Sequence, residues 1–185
     1  MRDIGLERGT VILVPHNPKW RLIYEEEFKF LYKILEDYIA GISHIGSTAI
    51  PGIVVKPIID IAIVVKYISK IGKIIEIMET HGYIYRGEIL LGIPDRYLFV
   101  KGTENIRTHH IHLMPITHPQ WETQQLFRDY LISHPESAKE YHNLKLELKQ
   151  HYPNDRERYL EGKSSFILNI IETAKKGTKQ YKNKK

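Results

Sequence analysis

The 185-residue chain contains no cysteine, so disulfides and thiolate metal sites are excluded, and a reducing compartment fits. Long hydrophobic runs are missing as well. The longest, around residues 57–65, falls far short of the roughly 18 residues of a membrane span, and Asp60 interrupts it. The start, Met1 to Arg8, has none of the apolar core of a secretory leader. A soluble, cytoplasmic protein without a membrane partner is expected. Acidic residues are missing from one end only. The last eleven residues hold six of the 27 basic residues and no acid; without them 21 basic face 22 acidic residues, a net −1 in place of +5. The basic balance therefore belongs to a Lys-rich tail at residues 176–185, and nucleic acid is an unlikely partner except through it.

What remains is enough for one domain over residues 1–175, burying roughly 70% of its unfolded surface. Thr10–Val14 reads as a strand. Asn17 caps a helix with Pro18 at its first position, and Leu22, Phe28, Leu31 and Leu35 form its apolar stripe through Tyr38. Residues 41–45 read as a strand, 46–56 as an irregular turn, and Pro57–Val65 as a buried strand, β-branched and continuous. Ile68, Ile71, Ile74, Ile75 and Met78 repeat at helical spacing, and His81-Gly82 ends that helix. Strands are expected over 83–88, 96–101 and 107–114, then helices over 119–133, 135–151 and 155–175, with Pro135 and Pro153 at the breaks. The fold class is α+β: a mixed β-sheet flanked by helices (residues 1–116) with a helical C-terminal part (117–175).

Three constellations carry chemistry. Asp60 stands in an apolar strand, where an unpaired carboxylate costs several kcal/mol. Either it satisfies a backbone turn or pairs with Lys56, or it faces a cleft and holds Mg²⁺ or a polar ligand. Upstream, Gly46 lets backbone approach a ligand, and Ser47 and Thr48 offer hydroxyl and N–H groups to phosphate oxygens. A Gly-Ser turn followed by a strand acid is the order of polymerase-β-like nucleotidyltransferases, whose second acid is here Ala62. The second constellation is Arg107-Thr-His-His-Ile-His-Leu-Met-Pro115. His110 and His112 share one strand face, as metal ligands or an acid–base pair, or as plain solvent-facing side chains, and His109 takes the other. A histidine-triad hydrolase would need a third alternate His where Met114 stands. In the third, Arg86–Arg96, Glu88 is a candidate for the missing metal carboxylate and Arg96 for a phosphate, unless this is an ordinary charged hairpin. Gly162-Lys163-Ser164 mimics the end of a P-loop, but Glu157 occupies the earlier glycine position and no strand precedes it.

Together, His44-Ile-Gly-Ser-Thr-Ala-Ile-Pro-Gly52, Lys56-Pro-Ile-Ile-Asp60, Gly87-Glu88 with Arg96, His109-His-Ile-His112, Phe127-Arg-Asp-Tyr-Leu131, His134-Pro135, Tyr141 with Leu144-Lys145, and Tyr159 with Lys163 resemble the GrpB family over Val14 to Ala174. The resemblance implies a nucleotidyltransferase-like fold that binds a nucleoside triphosphate or another phosphorylated small molecule with Mg, or with Mn or Zn. On it, Asp60, His110 and His112 would be catalytic, and His44, Gly46, Ser47, Thr48, Lys56, Arg96 and Lys163 would bind the phosphorylated ligand. Asp60 and Glu88 would hold metal. The alternatives are a non-catalytic nucleotide- or partner-binding module and a metal-dependent phosphohydrolase. Arg128 and Asp129 read as a pair locking helix to sheet.

Overall fold

The computed structural model describes residues 4–88, 94–103 and 105–182. In chain order it contains β1 (Leu6–Glu7), β2 (Val14–Pro15), α1 (Lys19–Leu35), β3 (Ile39–Ile45) and a 3₁₀ turn (Ser47–Ala49). There follow β4 (Val54–Val55), β5 (Ile59–Val65), α2 (Ile71–Thr80), β6 (Ile84–Glu88), β7 (Tyr97–Gly102) and β8 (Ile106–Pro115). The C-terminal part is α3 (Pro119–Ser133), α4 (Pro135–His151), α5 (Arg156–Glu161) and α6 (Ser164–Lys182). No helix of the described residues is long and apolar enough to cross a membrane.

One mixed sheet organises the chain, in the order β3-β5-β8-β7-β6. Only β5 and β8 run parallel; the other neighbours are antiparallel. β1 pairs with β8 at Ile106 and Arg107, just beyond the start of β5, while β2 and β4 form a separate ribbon. Alternation along β5 divides its side chains between two faces. Ile59, Ile61, Ile63 and Val65 enter the main core with Trp20, Leu31 and Leu35 of α1 and Ile74 and Met78 of α2. Ala62 and Val64, on the Asp60 face, pack with Ile45, Met114 and Trp121. Both faces are covered, which is why β5 reads as a continuous apolar run.

The proline-bracketed helices α3 and α4 run as expected. Asn17 accepts a hydrogen bond from the Lys19 N–H at 3.0 Å and Pro18 already has helical dihedrals. Elsewhere the chain differs from the expectation. The strand expected over 10–14 shrinks to Val14–Pro15, because Val11 and Leu13 pack on Leu148, Tyr159 and Tyr152 instead of pairing in a ladder. α1 ends at Leu35, and Leu22 is 59% exposed; Trp20 and Glu27 take the buried stripe. The last helix is broken at Gly162-Lys163, where a Cβ on Gly162 would strike the Leu148 side chain, and α6 continues past residue 175 through Lys182. The P-loop-like Gly162-Lys163-Ser164 therefore joins two helices rather than lying inside one. Residues 89–93 of the Arg86–Arg96 segment, and the tail's residues 183–185, lie outside the described residues.

Candidate functional site

The Gly-Ser-Thr turn lies against Asp60. Gly46 has φ +70°, and a Cβ there would come within 2.5 Å of Asp60 Oδ2. Glycine is required because the turn must press its backbone onto the carboxylate in a left-handed conformation. Ser47 hydrogen-bonds the hydroxyl of Tyr141, which burial pushes up to about 12. Thr48 turns the other way: its hydroxyl donates to the Ile58 carbonyl at 3.1 Å and lies 3.1 Å from His44 Nε2. The parallel register of β5 and β8 sets Asp60 opposite His110 and Ala62 opposite His112. All four share a face, with His109 on the other.

His110 Nδ1 lies 3.2 Å from Asp60 Oδ1, and His112 Nε2 is 3.9 Å from the same oxygen. Burial alone would raise the Asp60 carboxyl, but the two imidazoles outweigh it and hold the group below the usual carboxylate range. Arg96 Nη2 donates to His112 Nδ1 at 3.0 Å, so a neutral His112 carries its proton on Nε2, toward Asp60. Burial, and then the Arg96 charge, depress His112 in spite of Asp60. Burial likewise lowers Arg96. A carboxylate accepts, so His110 donates to Asp60 through Nδ1 and not through Nε2. That Nε2 is buried and has no hydrogen-bond partner among the described residues.

Cations gather at the start of β5. Lys56 and Lys163 lie on the Tyr159 ring, each ammonium 4.7 Å from its centroid. Burial lowers Lys56 to about 8, with the charges of Lys163 and Arg156 adding to the effect. Burial lowers Lys163 to about 8 against the pull of Asp60. Lys145 of α4 is almost wholly buried and donates to the Val54 carbonyl. Burial, then Lys163, lowers it to about 7. Beside this cluster a cavity of about 250 Å³ is lined by Arg8, Lys56, Arg107, Arg156 and His110, with Glu7 as its acid. The turn after β1 brings Arg8 there, β8 brings Arg107, and α5 brings Arg156.

Two of the expected ligand residues face elsewhere. His44 stands opposite Ile61, not Asp60. With Thr48 it lines a different cavity of about 890 Å³ that includes Tyr24, Arg128 and His142. His44 is stacked on Tyr24 at 4.5 Å, and burial lowers it to about 4, so it is neutral near pH 7. Arg128 bonds Asp129 at 2.7 Å, the Ser43 hydroxyl at 2.8 Å and the His44 carbonyl at 2.6 Å, fastening α3 to β3.

The metal expectation fits poorly. Mg²⁺ asks for an oxygen-rich octahedral shell. Here Asp60 Oδ1 is engaged by His110, and Ala62 is wholly buried in an apolar cluster. Glu88 accepts the Asp95 N–H at 2.6 Å, at the end of the edge strand β6. Among the described residues no three His, Asp or Glu side chains are arranged to hold an ion. Of the imidazoles, which would suit Zn or Mn, His112 is turned to Arg96 through Nδ1 and to Asp60 through Nε2, and His110 is held on Asp60 through Nδ1.

Sequence reasoning missed Arg8, Arg107 and Arg156 as members of one site, since they come from three distant segments. Lys145 carried a signal that went unused: Tyr141, Lys145 and Leu148 recur at helical spacing, which places a lysine on a buried stripe.

The family described as GrpB protein matches residues 10–173. The UPF0157 protein YqkA of Bacillus subtilis is 40% identical over 176 residues, covering 95% of this chain and 50% of its own length. The chain thus spans half of that relative. The glutamate-rich protein GrpB of Alkalihalophilus pseudofirmus is 35% identical over 172 residues, covering 91% of this chain and 98% of that protein. The crystal structure of the conserved protein GrpB from Enterococcus faecalis superposes with a TM-score of 0.81 at 34% identity, over 90% of this chain and 99% of the other. With the family match running through turn, strand acid, histidines and helical cap alike, the chain belongs to the GrpB family.

Proposed function

We propose that the protein binds a phosphorylated small molecule at the start of β5, as a nucleotidyltransferase-like module. The carrying observation is the small cavity where Arg8, Lys56, Arg107 and Arg156 meet His110, with Glu7 as the one acid among the described residues that line it. Basic side chains converging on a confined space are complementary to phosphate, and Arg supplies the planar fork that phosphate oxygens accept. At about 250 Å³ the cavity is smaller than the 300–1,000 Å³ or so of typical ligand pockets, so it suits the phosphate part of a nucleotide and leaves the nucleoside outside. Transfer of a nucleotidyl group to an acceptor is the reaction that the Gly46-Ser47 turn against Asp60 favours. The test is equilibrium titration with the four nucleoside triphosphates, pyrophosphate and the matching nucleosides. The triphosphates and pyrophosphate should bind at micromolar levels and the nucleosides at least tenfold more weakly, with Lys56→Ala weakening the phosphorylated ligands by a similar factor. Equal affinity for nucleoside and triphosphate would overturn the reading.

A further inference from the structure

The larger cavity, of about 890 Å³, shares no described lining residue with the small one and is built from different chemistry. It lies across the Ser47–Ala49 turn. Thr48 and Ala49 line it, while Ile58, whose carbonyl accepts the Thr48 hydroxyl, lines the small cavity. Its size falls within the roughly 300–1,000 Å³ of typical small-molecule pockets. The wall is largely apolar, with Pro15, Ala49, Ile53 and Ile132 in it and no lysine among the described residues that form it. Tyr24 and His44, stacked 13° from parallel, give it an aromatic side. A wall of this kind takes up a flat apolar body and offers little to a chain of phosphates.

One guanidinium is fixed in that wall with a donor left over. Arg128 spends Nε on Asp129 at 2.7 Å, and Nη1 on the Ser43 hydroxyl at 2.8 Å and the His44 carbonyl at 2.6 Å. Its Nη2 has no hydrogen-bond partner among the described residues, and the side chain is 19% exposed. The Arg128 charge acts on both Tyr24 and His44, so the guanidinium stands beside the aromatic side. Asp129 is 61% exposed and outside the wall, so water screens much of its field. The other arginine, Arg21, is 83% exposed and already paired with Glu25 at 2.9 Å. A donor whose rotamer is already fixed loses little freedom on binding. One remaining nitrogen matches a monoanion, whereas phosphate calls for several donors. We infer that this cavity is a second ligand site, for a small organic carboxylate with a flat apolar body. The carboxylate accepts from Arg128 Nη2, and the body lies against Tyr24, Ile53 and Ile132. The site stands whether or not the small cavity takes phosphate.

The experiment is calorimetric titration of the wild-type protein with cinnamate, with its neutral isostere cinnamamide, and with cinnamate in excess pyrophosphate. Cinnamate should bind at least about fivefold tighter than the amide, and pyrophosphate should change its affinity by less than about twofold. Ile132 is 48% exposed and lies one helical turn beyond Arg128 on α3. Ile132→Glu therefore brings a competing carboxylate to Nη2 without opening the core. Ile132→Gln, which loses the same apolar contact, should weaken acid and amide alike, and Ile132→Glu should weaken cinnamate about fivefold beyond that. Thermal melts of both variants check that the fold is kept, and the wild-type comparison of acid with amide needs no variant. Equal affinity for acid and amide, displacement of cinnamate by pyrophosphate, or the same loss of cinnamate in folded Ile132→Glu and Ile132→Gln overturns the inference. Absence of cinnamate binding at millimolar concentration overturns it too.

Discussion

Gly46 and Gly52 both have positive φ, +70° and +80°, but only one of them has a neighbour in the way. A Cβ on Gly52 meets nothing within 4 Å, whereas one on Gly46 meets the Asp60 carboxylate at 2.5 Å and its Cβ at 2.9 Å. Gly52→Ala should therefore cost only the left-handed backbone strain, about 1 kcal/mol. Gly46→Ala should cost about 2–4 kcal/mol, since strand and turn must also separate. Urea midpoints of the two variants measure the difference. Equal losses would mean that backbone geometry alone, and not contact with Asp60, requires glycine at position 46.

Helix α1 is tied to the sheet by a polar latch inside an otherwise apolar contact. Glu27 accepts from the Tyr83 hydroxyl and pairs with Lys101 at 2.6 Å, with His109 Nε2 4.0 Å away. Burial, above all, lowers His109 to about 4, so it stays neutral beside the latch near pH 7. Glu27→Gln keeps a partner for Tyr83 and removes the charge that Lys101 needs, so a loss of about 2 kcal/mol is expected. Glu25→Gln, which breaks an exposed pair with Arg21, should cost less than about 0.5 kcal/mol. Chemical denaturation of the two variants side by side checks the contrast. Such latches mark the limit of what sequence discloses at this scale. α3 and α4 were legible because a proline opens each, and β5 because its β-branched run admits no other reading. Alternation alone put His110 and His112 on one face of their strand, whereas their meeting with Asp60 needed the parallel β5–β8 register, which no local pattern discloses. Less was legible where packing from distant segments decides: Val11 and Leu13 leave their ladder for Leu148 and Tyr159, and Leu148 leaves no room for a Cβ at Gly162, where the helix breaks. The turn was placed correctly, but its side chains diverge, Ser47 toward Tyr141 and Thr48 toward His44. No local pattern tells which way a three-residue turn presents its hydroxyls.

Among the described residues, positive charge is gathered under tension around Tyr159, because Lys56 and Lys163 are lowered to about 8 and Lys145 to about 7, by burial first and by neighbouring cations next. Lys56 faces Lys163, Arg156, Lys149 and Asp60; Lys163 faces Asp60 and Arg156; Lys145 faces Lys163. In the unfolded chain these lysines titrate near 10.4. Between those values and about 10.4 the unfolded chain binds more protons than the folded one, so stability of the free protein rises with pH through that window. A bound polyanion reverses the field and raises the same lysines, so at pH 8 binding should take up on the order of one proton. Affinity should then fall as pH climbs from 7 to 9.5, while the melting temperature of the ligand-free protein, as far as these lysines set it, climbs over the same range. Titration with pyrophosphate in two buffers of different ionisation enthalpy reads the proton count directly, and thermal melts read the second trend. Proton uptake below about 0.2 per ligand at pH 8 would show that the phosphoryl group does not meet these lysines. The arginines lining the small cavity would then carry the binding alone.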